Sequence, residues 1–555
     1  MNKDFFIALG ITALVYVGYS YFFPKNQHPI PQQETAAVEE QASSPAPKIK
    51  VKTSVKENAA QEEERFYTLS VKDADITFSS KGAAIKTFDY KDVVAPLNLM
   101  PYGREGYFAT MPELNFKRVD DASADMVFEA SVPGSLKVRK EYTFSRDGGL
   151  NQMSLKVKNL SDKNLEISDV FVNMGPGLAT VKSEMSENSA NLRAVCLIRE
   201  EGKKKATVNS VTEKMMSKPA KLEAECGGWE WAGIDNRYFL TAFIPRSWKP
   251  EASDLKFTKQ FIYNQPSFYG LFGEKAVMGP NLAVKLPMAV EAGGEISFDA
   301  DFYIGPKDYN RLLELPFDLQ RSIQFGFFGQ FGKWARNLLE WLNGYTHNYG
   351  WAIIIMTVMI QAVMFPLTYK QLKSSAVMQK IQPEMKRIQE KYKNDPMTAQ
   401  REMMSLYKKY GANPLSGCLP LFIQLPIFLA LFNALRTSWA LHGAPFIWWI
   451  QDLSAKDPYY VLPLAMGAMM FVQQKMTMPD IAKDNPSMAM MKWMPIFMTL
   501  IFLNFPAGLT LYWFVSNCIS FVINLILKKT NISKVNLAKY LGVSRQMVYN
   551  YLELN

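Results

Sequence analysis

The chain has 555 residues, about four average domains by length, and 62 Lys and Arg against 52 Asp and Glu, a net charge of +10. Its three histidines, His28, His347 and His442, lie in separate segments, and its four cysteines form no C-x-x-C pair; these counts exclude a multi-His metal centre, a zinc ribbon and a thioredoxin-type motif. No G-x-x-x-x-G-K-[ST] string is present, which removes the commonest nucleotide-driven motors.

The mean hydropathy of −0.09 averages two unlike parts, a strand-rich middle and an apolar carboxyl-terminal third. Residues 5–23 carry no charge and would span about 28 Å as a helix, close to the thickness of a bilayer core. The exit Tyr21-Phe22-Phe23-Pro24 is bulky where signal cleavage needs small residues, so residues 1–23 are predicted to be an uncleaved membrane anchor. Residues 24–64, rich in Pro, Gln, Ala, Ser and Glu, are predicted to be a disordered linker, because they offer too little apolar surface to offset ordering. From 65 to 315 short alternating runs such as KVRKEYTFS (137–145), QMSLKVKNL (152–160) and EISFDADFYIG (295–305) are separated by Gly and Asp turns. Period-two patterning at this spacing predicts an all-β sandwich. No histidine occurs between 65 and 315, and the domain is read as a scaffold or protein-binding surface rather than a carbohydrate-active enzyme. Cys196 and Cys226 flank a Lys-rich insertion at 200–218. They are read either as a disulfide closing that loop in an oxidising compartment or as two separate thiols.

Residues 325–344 place Phe331, Trp334, Leu338 and Trp341 or Leu342 at helical spacing, with Lys333, Arg336, Asn337 and Glu340 elsewhere. That pattern predicts an interfacial amphipathic helix. Residues 345–529 hold five apolar segments, at 349–369, 419–435, 459–473, 488–505 and 507–527. The third would be only about 22 Å long, a length that thins a bilayer or tilts its neighbours. The loop 370–410 has ten basic residues, among them Lys370, Lys380, Lys386 and Arg387, against four acidic ones. By the positive-inside rule it is cytoplasmic. The expected architecture is therefore a membrane protein of six spans, five in a helical core, with both termini in the cytoplasm and an all-β sandwich outside, which in a bacterium is the periplasm. The loop itself reads as a helical hairpin with a cap at Asn394-Asp395-Pro396, serving as a solvated basic loop or as a docking arm for anionic lipid, ribosome or incoming chain.

Thr357 and Gln361 lie one turn apart in the second span, Gln424 in the third, and Thr510, Ser516, Asn517 and Asn524 in the last. Such residues either glue helices together or line a shared hydrated groove. No Asp, Glu or His lies mid-span, which speaks against a proton relay, and no inverted repeat points to a transporter. In the tail, 530–555, Ala538, Gly542, Ser544 and Val548 match a helix-turn-helix spacing. A DNA reader needs a third supporting helix and usually a dimer, so a short amphipathic tail is expected and no specific nucleic acid.

Three stretches, EMMSLYKKYGANPLSGCLPLFIQLPIFLALFNAL (402–435), IQDLSAKDPYYVLPLAMGAMMFVQQKM (450–476) and FPAGLTLYWFVSN (505–517), resemble the bacterial branch of the YidC/Oxa/Alb family of membrane protein insertases. The resemblance covers about 325–527 by sequence, and the anchor, linker and β domain by architecture. It implies an insertase and chaperone for nascent membrane proteins in the bacterial inner membrane, working alone or with the Sec translocon and near ribosome and lipid, without cofactor or nucleotide. It also implies a β domain similar to galactose mutarotase without the enzymatic role. A hydrophilic groove would be lined by Thr357, Gln361, Leu425, Pro426, Tyr512 and Trp513, with Gln424 and Asn517 beside them. Gln361 falls where the family usually has arginine, which predicts weak dependence on substrate negative charge. The alternative is a membrane-tethered chaperone whose β domain recruits partners, with the helices as an anchor.

Overall fold

A computed structural model describes residues 63–529 except 92–93, 101–104, 186–187, 200–205, 212–218, 267–273, 327, 394, 411–418 and 478–485. The chain divides into two units, Met1–Lys48 and Ile49–Asn555, and every described residue belongs to the second. The expected anchor at 1–23, nearly all of the linker and the tail at 530–555 lie outside the described residues.

The strands, in chain order, are β1 Phe66–Ser70, β2 Ala74–Ser79, β3 Ala84–Tyr90, β4 Leu97–Asn98, β5 Lys117–Val119, β6 Met126–Val132, β7 Leu136–Thr143 and β8 Asn151–Asn159. They continue as β9 Leu165–Asn173, β10 Arg193–Ile198, β11 Thr207–Val211, β12 Trp229–Asp235, β13 Phe239–Pro245, β14 Leu255–Pro266, β15 Glu274–Val290 and β16 Glu295–Pro306. Among the described residues they make a nine-stranded sheet, β11-β10-β12-β13-β16-β8-β7-β6-β5, a four-stranded sheet, β1-β2-β3-β4, and a three-stranded sheet, β14-β15-β9. Alternation decides the faces. In β7, Leu136, Val138, Lys140 and Tyr142 are buried while Lys137 and Thr143 are exposed. That inner face shares one core with Phe78 of β2, Val172 of β9 and Val284 of β15, so the two smaller sheets cover one side of the large one. On the other side, Val195, Trp231 and Leu240 pack against Leu312, Leu319 and Ile323 of the chain that leaves the domain.

The domain is not purely β. Helix α1, Pro219–Cys226, follows the Lys-rich insertion, and β11 lies inside that insertion, where a polar loop was expected. A disulfide joins Cys196 of β10 to Cys226 of α1, Cα to Cα 5.9 Å, closing a separation of 30 residues. Loop-closure entropy for such a length is worth about 3–4 kcal/mol. The double substitution Cys196→Ser with Cys226→Ser is accordingly expected to lower β-domain stability by that amount in thermal unfolding of the full chain.

Lys140 is fully buried, an outcome of its inward position on β7. Its ammonium nitrogen donates to Gly82 O at 3.2 Å, to Thr110 Oγ1 at 3.0 Å and to Phe108 O. Tyr142 OH donates to Ala83 O at 2.8 Å. These bonds hold a junction in which Ala83 and Phe108 have left-handed φ of 46° and 58°, a conformation that costs about 1–2 kcal/mol each. Burial pushes the Lys140 pKa well below the ordinary lysine value of 10.5. The unfolded chain therefore binds one more proton than the folded chain between that lowered pKa and 10.5, so stability rises with pH across the window. Lys140→Met is expected to flatten that rise in unfolding experiments between neutral and alkaline pH.

After β16 come α2 Tyr309–Glu314, α3 Gly329–Thr346, α4 Tyr349–Lys391, α5 Pro396–Tyr410, α6 Leu419–Arg436, α7 Val461–Thr477, α8 Pro486–Phe502 and α9 Ala507–Lys529. The expected amphipathic helix is α3, but its faces differ from the sequence reading. Ala335, Arg336, Leu339 and Leu342 turn inward, and Trp334 and Trp341 outward. Arg336, read as lying off the aromatic positions, is buried because Asn310 Oδ1 accepts from it at 3.0 Å and its guanidinium lies 4.4 Å from the Tyr309 ring. The expected second span and the first arm of the expected basic hairpin are one unbroken 43-residue helix, α4. Asp395 caps α5, accepting from Thr398 N at 3.1 Å and Thr398 Oγ1 at 2.6 Å, and the two arms meet through Ile381, Met385 and Leu406. Tyr349–Tyr369 and Ala507–Ile526 are long and apolar enough to cross a membrane by length and composition; Gln424–Arg436 and Trp493–Phe502 are shorter apolar stretches.

Candidate functional site

Two amide side chains of the apolar helices bond to α9. Gln361, twelve residues into α4 and only 8% exposed, donates from its amide nitrogen to Ser516 Oγ of α9. One helix over, Gln424 of α6 donates to Tyr512 OH of α9 at 2.8 Å. Ser516 and Tyr512 are four residues apart, so they share one face of α9, and that face is where α4 and α6 both attach. The buried hydroxyls of Thr357 and Thr510 turn back onto their own helices, to Ile353 O at 2.7 Å and Pro506 O at 3.1 Å. This satisfies them without help from a neighbour. The Asn517 amide nitrogen is buried with no hydrogen-bond partner among the described residues, one position past Ser516. It is a desolvated donor whose hydrogen bond is not made.

Aromatic side chains close the end of this seam that lies toward the β domain. Trp513 meets Phe428 at 4.8 Å and Phe502 at 5.4 Å between ring centroids. Phe505 continues the cluster, 4.9 Å from Phe502 and 5.4 Å from Phe432. The loop from 437 to 460 then covers the helix ends. Leu453 O and Ala455 O accept from Gly508 N at 2.9 Å and Ala507 N at 2.7 Å, which supplies acceptors for the first amides of α9. Asp457 starts α7 by accepting from Leu462 N at 2.7 Å. The outward faces are apolar instead: Val363 of α4 is 79% exposed, and Leu464 of α7, Leu500 of α8 and Ile526 of α9 are exposed as well.

Of the residues expected to line a groove, the structure brings together Gln361, Gln424, Tyr512 and Trp513, and sets Thr357 and Asn517 beside them. Leu425 is 37% exposed, and Pro426 sits half-buried within α6. The side chains of Lys370 and Lys380 lie outside what is described, while Lys386 is half-buried and Arg387 exposed on the first arm of the hairpin. Ser516, the partner of Gln361, was named only among the polar residues of the last apolar segment, and Phe428, which packs on Trp513, was not singled out. Gln424, Phe428 and Phe432 recur every four residues along α6, and that spacing was the available signal.

The family models divide the chain much as the fold does. The model described as YidC periplasmic domain matches residues 91–338, and the 60Kd inner membrane protein model matches residues 341–534. Among curated relatives, the membrane protein insertase YidC of Syntrophus aciditrophicus is 32% identical over 94% of this chain and 98% of its own length. That of Endomicrobium trichonymphae is 35% identical over 75% of each. A solved structure described as an active YidC insertase with its first transmembrane domain resolved matches 83% of this chain and 92% of its own at 18% identity, with a TM-score of 0.37. On the identity and coverage of these relatives, the chain belongs to the YidC membrane protein insertase family.

Proposed function

We propose that this chain is a membrane protein insertase for nascent inner-membrane proteins, acting through the polar seam on α9. The observation that carries this reading is the pair of amide side chains, Gln361 and Gln424, bonded to Ser516 and Tyr512 of one helix face within an otherwise apolar set of helices. A polar flank entering hydrocarbon loses hydrogen bonds worth several kcal/mol per group. The amides, the two hydroxyls and the unpartnered Asn517 donor offer replacement bonds along the path. The aromatic cluster and the 437–460 loop bar the way beyond, so the flank advances only as far as the seam permits. The apolar segment leaves sideways into lipid, driven by burial of about twenty residues. The energy comes from that partition, which is why no nucleotide enters the scheme.

The topology that fits is six spans with the β domain in the periplasm and both termini in the cytoplasm, supported by ten basic residues in 370–410. In this arrangement the hairpin of α4 and α5 faces the ribosome, anionic lipid and the emerging chain, and the Sec translocon is a lateral partner. The β domain serves as a scaffold rather than an enzyme, in keeping with the lack of histidine between 65 and 315. Proteoliposomes holding this protein alone test the reading. A small single-span substrate is expected to become protease-protected at its translocated end, with no nucleotide added; insertion no faster than in empty liposomes would refute it.

A further inference from the structure

The turn between β12 and β13 reaches out of the β domain to the carboxyl end of α6. Asn236 shapes the turn, its Oδ1 accepting from Tyr238 N at 3.0 Å and Phe239 N at 2.9 Å. Its amide nitrogen ties the turn back to Ala179 O at 2.7 Å and to Asn188 Oδ1 at 3.1 Å. Held this way, Arg237 donates from Nε to Arg436 O at 2.6 Å. Arg436 is the last residue of α6, and the last four carbonyls of a helix have no intrahelical partner. Asn433 O finds its own in Thr437; Arg436 O is satisfied from another domain. A cation at this end also complements the helix dipole.

The rest of the contact is built to fix that guanidinium. It forms a buried ion pair with Glu184, and its carbon lies 4.9 Å from the Tyr238 ring. Tyr238 and Phe239 pack against Trp439, just beyond α6, at 5.8 and 5.2 Å, and Trp439 stacks on His442 at 4.8 Å. In return Arg436 Nη2 reaches Asn191 Oδ1 at 3.5 Å. α6 is also the helix that carries Gln424 and Phe428 to α9.

We propose that Arg237 is a positioning residue: by anchoring the carboxyl end of α6 from the β domain, it sets the height and rotation at which Gln424 and Phe428 meet Tyr512 and Trp513. A helix is stiff along its axis, so a displacement at residue 436 is felt at residue 424, about 18 Å away. The β domain thus acts on the seam through a single helix. The functional half of this inference rests on the insertase reading above; the structural half does not.

The test uses the full chain in lipid nanodiscs and proteoliposomes. Arg237→Met is expected to raise amide hydrogen exchange in residues 430–440 at least tenfold and to slow single-turnover insertion several-fold. Arg237→Lys, which keeps the charge beside Glu184 but loses the forked donor, should retain the β-domain fold and show a smaller change of the same kind. The distinguishing readout is a cycle with Gln424→Ala. Sites this far apart ordinarily add, but if Arg237 acts through the placement of Gln424, the insertion loss from Arg237→Met shrinks in the Gln424→Ala background. Unchanged exchange in 430–440 for both Arg237 variants, or losses that multiply in full, would overturn the proposal. If the wild-type protein inserts nothing, the insertase reading fails, while the exchange comparison still decides whether Arg237 anchors α6.

Discussion

Neutralising the acidic residues in the hydrophilic flank of a single-span substrate is expected to change its insertion by less than about twofold, and Gln361→Arg is expected to install a dependence of tenfold or more. The reason is the lack of charge within the apolar stretch of α4. Between Tyr349 and Tyr369 there is no charged residue, and Gln361 offers a neutral amide. A neutral hydrogen bond contributes about 1 kcal/mol net. A guanidinium about 5 Å from a carboxylate would contribute roughly 3 kcal/mol at an effective dielectric of 20, enough to separate charged from neutral flanks. Paired substrates differing only in those acids, assayed in proteoliposomes, give the answer. A tenfold loss with the neutral substrate in the wild-type protein would mean that a charge elsewhere does the recruiting.

The second large effect lies in the β domain. Asp235 is fully buried; Arg193 Nε reaches it at 2.9 Å and Lys307 Nζ at 3.1 Å. Burial lowers the Lys307 pKa, and the Asp235 charge works against that shift. Asp235→Ala leaves the buried Lys307 and the half-buried Arg193 without their shared anion, a change that costs about 3 kcal/mol or more. For a domain of this size that corresponds to a fall of roughly 10 °C in the unfolding midpoint. Replacing all three residues with apolar ones of similar volume should recover most of the loss, since a buried ion cluster is seldom worth more than good packing. A midpoint unmoved by Asp235→Ala would show that the cluster is solvated.

Much of this fold could be read from residue patterns, and the misses have physical causes. β7 and β8 follow two-residue alternation closely, whereas the second half of β16 is buried on both faces; in β7 that alternation sets Lys140 on the same face as Val138 and Tyr142. β15, seventeen residues long, gave little signal because Pro280 and Pro287 read as strand breakers, although both sit in the sheet and the register shifts beside the second, between Leu286 and Met288. Arg336 was read only as lying off the aromatic positions of an amphipathic helix, and its burial depends on Asn310 and Tyr309, which come back from the β domain to receive it. Gln361 and Gln424 stood out as polar groups in apolar helices. Ser516 and Tyr512 were named too, but not as their partners, since a hydrogen bond across 155 residues, as between Gln361 and Ser516, leaves no local trace. The turn bearing Arg237 was silent for the same reason.

The seam itself is tested most directly by photocross-linking to a substrate halted midway through insertion. With a photoreactive residue placed in turn at 361, 424, 513, 517 and 363, the substrate is expected to cross-link from the first four and not from 363, on the outward face of α4. Cross-links from 363, with silence at 361, 424 and 517, would place the path along the outer surface of the helices and contradict the account.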